Sequence, residues 1–150
     1  MDELIKKILA SILTILNNSS LSESFCEAVL NRLVSFGYTL KEEDSWGIAF
    51  AMQKVESHIK NSCNITSIPD GLFYVAIDRV CGEFLFTAKQ TGKLNIDGLD
   101  FDSAIKQISE GDTSITFADD ASTEAKFNQL VNYLLTLGEG DLVCYRKLKW

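Results

Sequence analysis

Proline occurs once in these 150 residues, at Pro69, and histidine once, at His58. A single proline leaves long stretches able to be helical, because an interior proline removes a backbone donor and clashes with the turn before it. A single histidine obliges any catalytic triad or histidine-bearing zinc site to use His58. The four cysteines, Cys26, Cys63, Cys81 and Cys144, form no CxxC pair and match no zinc-finger or ribbon spacing, so they read as small buried hydrophobes kept reduced in a cytoplasmic protein. The sequons at Asn18 and Asn64 then carry no meaning. No apolar run approaches the ~18 residues that a membrane span needs. The opening Met1-Asp2-Glu3-Leu4-Ile5-Lys6-Lys7 alternates charge with apolar residues and reads as an amphipathic helix rather than a signal peptide. Phosphate cradles are missing too. Neither GxxxxGK[ST] nor GxGxxG occurs, and Gly138-Glu139-Gly140-Asp141 puts acids where a phosphate loop needs a lysine.

Basic charge is scarce as well, and unevenly spread. Residues 1–96 hold eleven acids and nine bases, residues 97–124 hold eight acids and one base, and residues 125–150 hold two acids and four bases. A net charge of −7 with no basic groove disfavours binding to phosphate backbones.

The apolar pattern is helical nearly throughout. Leu4, Ile5, Ile8, Leu9, Ile12, Leu13 and Leu16 recur at helical spacing to about Asn17. After a break at 17–20, with Ser20 or Ser22 as cap, Phe25, Ala28, Val29, Leu33 and Phe36 mark a second helix ended by Gly37. The two are expected to form an antiparallel pair. A third helix is expected over 41–61 with a face of Trp46, Ile48, Ala49, Met52, Val55, Glu56 and Ile59, its acids Glu42, Glu43 and Asp44 suiting the helix dipole. Ser67-Ile68-Pro69-Asp70 has the form of a capping box opening a fourth helix to about Thr91, apolar nearly all round and therefore central. Residues 92–100 read as a polar, mobile loop. Thr113-Ser114-Ile115-Thr116-Phe117 alternates with period two, as a half-buried strand does, in a short strand or hairpin segment near 112–117. A last helix opens at Ser122 and stops at Gly138, and Leu142-Val143-Cys144-Tyr145-Arg146 continues as a strand or extended tail. The expected fold is mainly α: one domain over 1–150, a small bundle of about five helices, with 1–37 as a possible N-terminal helical-pair extension.

Few residues invite chemistry. Asp97-Gly98-Leu99-Asp100-Phe101-Asp102 fails as a calcium loop, because alternate ligand positions would fall on Leu99 and Phe101 and no glutamate closes it. It reads as a solvated acidic loop. His58, five residues before Cys63, reads as a half-exposed helix residue, since nothing nearby resembles a nucleophile turn. Glu42/Glu43 and Asp119/Asp120 are adjacent in sequence and point to different faces. Phe25, Phe50, Phe73, Phe84, Phe86 and Phe127 sit inside helical patterns and read as core. The closing Tyr145, Arg146, Lys147, Lys149 and Trp150 are of the types that anchor protein interfaces. The other reading is a tail folded back on its own domain. No catalytic, cofactor or metal residue is assigned.

The order of these features is itself informative. A helix, Cys63-Asn64-Ile65-Thr66-Ser67-Ile68-Pro69, a long helix, Gly111-Asp112-Thr113-Ser114-Ile115-Thr116-Phe117 led by Ser103 or Ser109, another helix, and terminal Tyr145-Arg146-Lys147-Leu148-Lys149-Trp150 follow one another. Over residues 40–150 this resembles the head–tail connector (adaptor) proteins of long-tailed bacteriophages and prophages, especially those of Gram-positive hosts. The resemblance implies a non-enzymatic helical bundle, without cofactor, made in the bacterial host cytoplasm and placed in the virion neck. Such proteins assemble as a ring of about twelve subunits by heterologous contacts that close. The ring would sit beneath the portal protein and meet a tail-completion or second connector protein. DNA would pass through without specific binding, and no membrane is involved. By the same analogy Arg146, Lys147, Lys149 and Trp150 would lie at a portal-facing or subunit-facing contact. The alternative is a non-catalytic helical adaptor or regulator that binds another protein through this tail.

Overall fold

The computed structural model describes residues 2–17, 21–101, 104 and 122–146. Its elements are α1 (Asp2–Ile15), α2 (Glu23–Ser35), α3 (Asp44–Cys63), α4 (Phe73–Gln90), α5 (Thr123–Thr136) and the short α6 (Glu139–Cys144). Two 3₁₀ turns lie at Asp70–Leu72 and Ile96–Gly98. The architecture is the helical bundle that the periodicity predicts, with no strand among the described residues. The strand expected near 112–117 lies outside them.

Helix ends follow local chemistry. Ser22, not Ser20, caps α2, its Oγ accepting from the Phe25 N–H at 3.1 Å, and Ser122 caps α5 by accepting from Ala125 at 3.1 Å. Gly37 closes α2 at φ +92° in a Schellman motif, with Tyr38 N–H donating to Leu33 C=O and Gly37 N–H to Val34 C=O. At the end of α3 Asn64 takes the same left-handed conformation (φ 56°), which asparagine tolerates better than most residues.

Three expectations are corrected. Ser67 does not cap the fourth helix: the chain enters through the 3₁₀ turn, where Leu72 N–H donates to Pro69 C=O, and regular α geometry starts at Phe73. Asp44 stands in the first turn of α3, as the dipole argument expects. It is buried, and its Oδ2 accepts from Tyr38 Oη–H at 2.8 Å and from Lys41 N–H at 2.9 Å. The loop at 92–100 is tied down, because Leu99 and Phe101 are buried and Asp100 N–H donates to Phe36 C=O at 3.0 Å. Finally, Leu142, Val143 and Cys144 are not extended. Gly138 at φ +76° turns the chain into α6, whose Leu142 is buried.

The long α4 is central, as its apolar composition predicts. It packs against α2, α3 and α5, while α1 lies on α2 and α3, and α6 lies on α3. Helices α2 and α4 run in the same direction, with Phe25 edge-on to Phe73 at 5.6 Å and Arg32 paired to Asp78. Helix α5 runs against α4 and approaches it closely at Gly82, where a Cβ would meet Leu134 Cβ at 2.8 Å. One buried cluster joins Ile8 and Ile12 of α1 to Val29 and Leu33 of α2, Met52 and Ile59 of α3, Val80 and Leu85 of α4, Phe127 and Leu134 of α5, and Leu142 of α6. Residues 1–37 contribute two helices, α1 and α2, to this core. Ion pairs lie over the helix seams: Lys7–Glu42 at 3.2 Å, Arg32–Asp78 at 2.9 Å, Lys54–Glu83 at 3.1 Å and Lys89–Glu124 at 3.2 Å.

Candidate interaction surfaces

The titratable groups of the interior are held in forms poorly suited to chemistry. Cys26, Cys63 and Cys81 are buried free thiols. Burial pushes the Cys26 thiol up to about 11, and it pushes Cys81 up as well, with the Asp78 charge adding to it. A nucleophilic cysteine needs the opposite environment, one that favours the thiolate. Cys63 donates from Sγ to the Leu142 carbonyl at 3.3 Å, so its role is to hold α6. Tyr38 is shifted up by burial and by its hydrogen bond to Asp44. Burial also raises Asp78, in opposition to the neighbouring Arg32.

His58 is exposed on α3 beside a cavity of about 240 Å³ between α3, α4 and the α5–α6 turn, lined also by Lys54, Arg79, Glu83 and Glu139. The charges there are committed to one another. Arg79, with a side chain only 5% exposed, donates from Nε to Leu137 C=O at 2.7 Å and from Nη2 to Glu139 Oε1 at 2.9 Å. Among the described residues no group of three or more His, Cys, Asp or Glu side chains converges as a metal site, and no helix is long and apolar enough to cross a membrane.

The sequence-predicted interface residues are only partly placed. Tyr145 is half-buried against the core, its hydroxyl filling the space where a Cβ on Gly71 would stand. Arg146 is exposed and donates from Nε to the Ser62 carbonyl at 3.1 Å. These two residues therefore fold back on the α3–α4 connection. Lys147, Lys149 and Trp150 lie outside the described residues.

What the sequence reading missed is a set of aromatics facing outward. Trp46 and Phe50 of α3 are 70% and 69% exposed, Tyr74 of α4 is 77% exposed, and Phe86 of α4 is partly so. Trp46 and Phe50 each lie two residues from the buried Ile48, about 200° around the helix, so they stand opposite the core face and one turn from each other. Counting angles from Ile48 would have found them. Reading Trp46 into the apolar face of the third helix and Phe50 and Phe86 into the core hid three of the four. Tyr74 borders a cavity of about 580 Å³ between α2 and α4, lined by Ala28, Asn31, Arg32, Ser35, Ile77 and Asp78.

No protein-family model, curated protein or solved structure matches this chain.

Proposed function

We propose that this chain is a structural assembly protein, a head–tail connector of the long-tailed phage type, forming a ring below a portal and joining a DNA-filled head to a tail. One observation carries the reading beyond the order of the sequence motifs. The described residues share one core and still keep aromatics in solvent at two separate places, Trp46/Phe50 on α3 and Tyr74 beside α2. Exposed large aromatics mark surfaces that another protein covers. A subunit in a closed ring needs two different surfaces, one for each neighbour, because its contacts are heterologous. Committed ion pairs and protonated thiols also favour a scaffold over an enzyme.

The test is native mass spectrometry of the chain, alone and mixed with the portal ring encoded beside it. The connector reading expects a complex with one copy per portal subunit. A monomer that leaves the portal ring unbound at tens of micromolar would sink it and favour an adaptor or regulator.

A further inference from the structure

The groove between α2 and α4 has acids beside it and few bases. On α4 Asp78 and the exposed Tyr74 lie one turn apart, and the exposed Asp70 precedes them in the 3₁₀ turn. Across the groove, Glu27 and Asn31 make the corresponding exposed stripe of α2. The floor is apolar, with Ala28 and Ile77. Between Leu21 and Lys41, and again between Ile65 and Lys89, the only bases are Arg32 and Arg79. Arg32 is held by Asp78 at 2.9 Å, and Arg79 points away to Leu137 and Glu139. Glu27 and Asp70 are exposed, each four residues before a residue, Asn31 or Tyr74, that lines this cavity of about 580 Å³. Such a site suits a segment with one flat aromatic anchor to lie along Tyr74 and flanking cations to face the carboxylates.

The chain carries such a segment. Three of its fourteen basic residues fall within Arg146-Lys147-Leu148-Lys149-Trp150, which also holds one of its two tryptophans. We infer that the α2–α4 groove receives the basic, aromatic 146–150 segment of a second copy of this chain, with Trp150 against Tyr74 and the lysines facing Asp70 and Glu27. The inference rests on the assembly reading above, and it names the contact by which one subunit holds the next. A contact between a groove on one copy and a tail on the other is heterologous, as a ring requires.

The first experiment titrates a fluorescein-labelled Arg-Lys-Leu-Lys-Trp peptide with the full chain and reads anisotropy. Saturable binding is expected, weakened by salt and weakened about ten-fold or more by Tyr74→Ala or Asp70→Lys, as truncating an interface anchor does. Phe50→Ala, on the other aromatic patch, is expected to leave it unchanged, and circular dichroism confirms that each variant folds. Flat anisotropy at millimolar protein, or equal losses from Tyr74→Ala and Phe50→Ala, would overturn the inference. The second experiment decides the source of the tail. Y74A keeps its tail and W150A keeps its groove, so neither should self-associate, whereas their equimolar mixture should give a heterodimer in sedimentation velocity. A mixture that stays monomeric although the peptide binds would assign the groove to the chain's own tail and overturn the second-copy contact. If both variants still form complete rings on the portal, this contact is wrong and the connector reading stands. If the wild type ignores the portal while the mixture dimerises, the connector reading falls and this contact stands.

Discussion

Gly82 of α4 and Leu134 of α5 share a space that holds only one side chain: a methyl on Gly82 would sit 2.8 Å from Leu134 Cβ, with the Leu134 backbone carbon at 3.4 Å behind it. In an isolated helix Gly→Ala would add up to about 1 kcal/mol of stability. Here the intruding atom meets the root of a side chain, so α5 has to move. Overpacking of this kind costs about 1–3 kcal/mol. Gly82→Ala is therefore expected to lower the urea midpoint at constant m-value. Gly140→Ala in α6, with nothing within 4 Å, should leave the midpoint unchanged or raise it.

Arg79→Met tests the clamp on the α5–α6 turn. The substitution keeps the apolar stem and leaves the Leu137 carbonyl without its 2.7 Å donor. That bond is part-buried, so water can partly replace the donor, and a loss of about 0.5–1.5 kcal/mol is expected by denaturant unfolding. Glu139→Gln should cost less than about 1 kcal/mol, because that carboxylate is 60% exposed and water replaces its partner.

Thiol titration distinguishes packed cysteines from reactive ones. Cys26, Cys63 and Cys81 are buried, so at pH 8 an aromatic disulfide reagent should find them slow in the native protein and fast in denaturant. A rapid native reaction of two or more of the four thiols would contradict this arrangement.

Alkaline stability has a definite sign. Unfolded, the Cys26 thiol loses its proton near 9, and folded it holds on until about 11. Its contribution is complete below pH 9 and disappears as pH rises to 11, a loss of about 1–3 kcal/mol. Tyr38, also shifted up, adds a loss of the same sign at higher pH. The free energy of unfolding should be level from pH 7 to 8.5 and fall beyond 9, and it should fall less steeply in Cys26→Ala. A flat profile to pH 11 would contradict the burial of both groups.

Most of the bundle was legible because apolar periodicity and caps act locally. The α1 stripe of Ile8 and Ile12, the Ser22 and Ser122 caps, the Gly37 stop and the central place of α4 all follow from residues within a turn or two of each other. What escaped depended on partners distant in sequence. Asp44 opens α3 as expected, but its burial depends on Tyr38 and the chain turn that enclose it, and residues 92–100 looked mobile until Phe36 and Asp100 bonded across them. The C-terminal piece reads as a strand by composition, since Leu142, Val143 and Tyr145 favour one. Gly138 and the pocket around Cys63 decide for a helical turn instead. The candidate surfaces were least legible. An exposed tryptophan and a buried one have the same letter, and only the angle from Ile48 separates them.

The seating of α5 on α4 has a consequence for synthesis. Between the emergence of Gln90, at the end of α4, and that of Thr123, at the start of α5, about 33 further residues leave the ribosome, which takes roughly 2–7 s at ordinary bacterial and eukaryotic rates. Throughout that interval α4 can pack on α2 and α3, while the side that Leu134 will cover stays wet. The nascent chain thus waits as a four-helix intermediate with one apolar flank open. Slower release of the 91–123 stretch from the ribosome should lengthen the wait and increase aggregation.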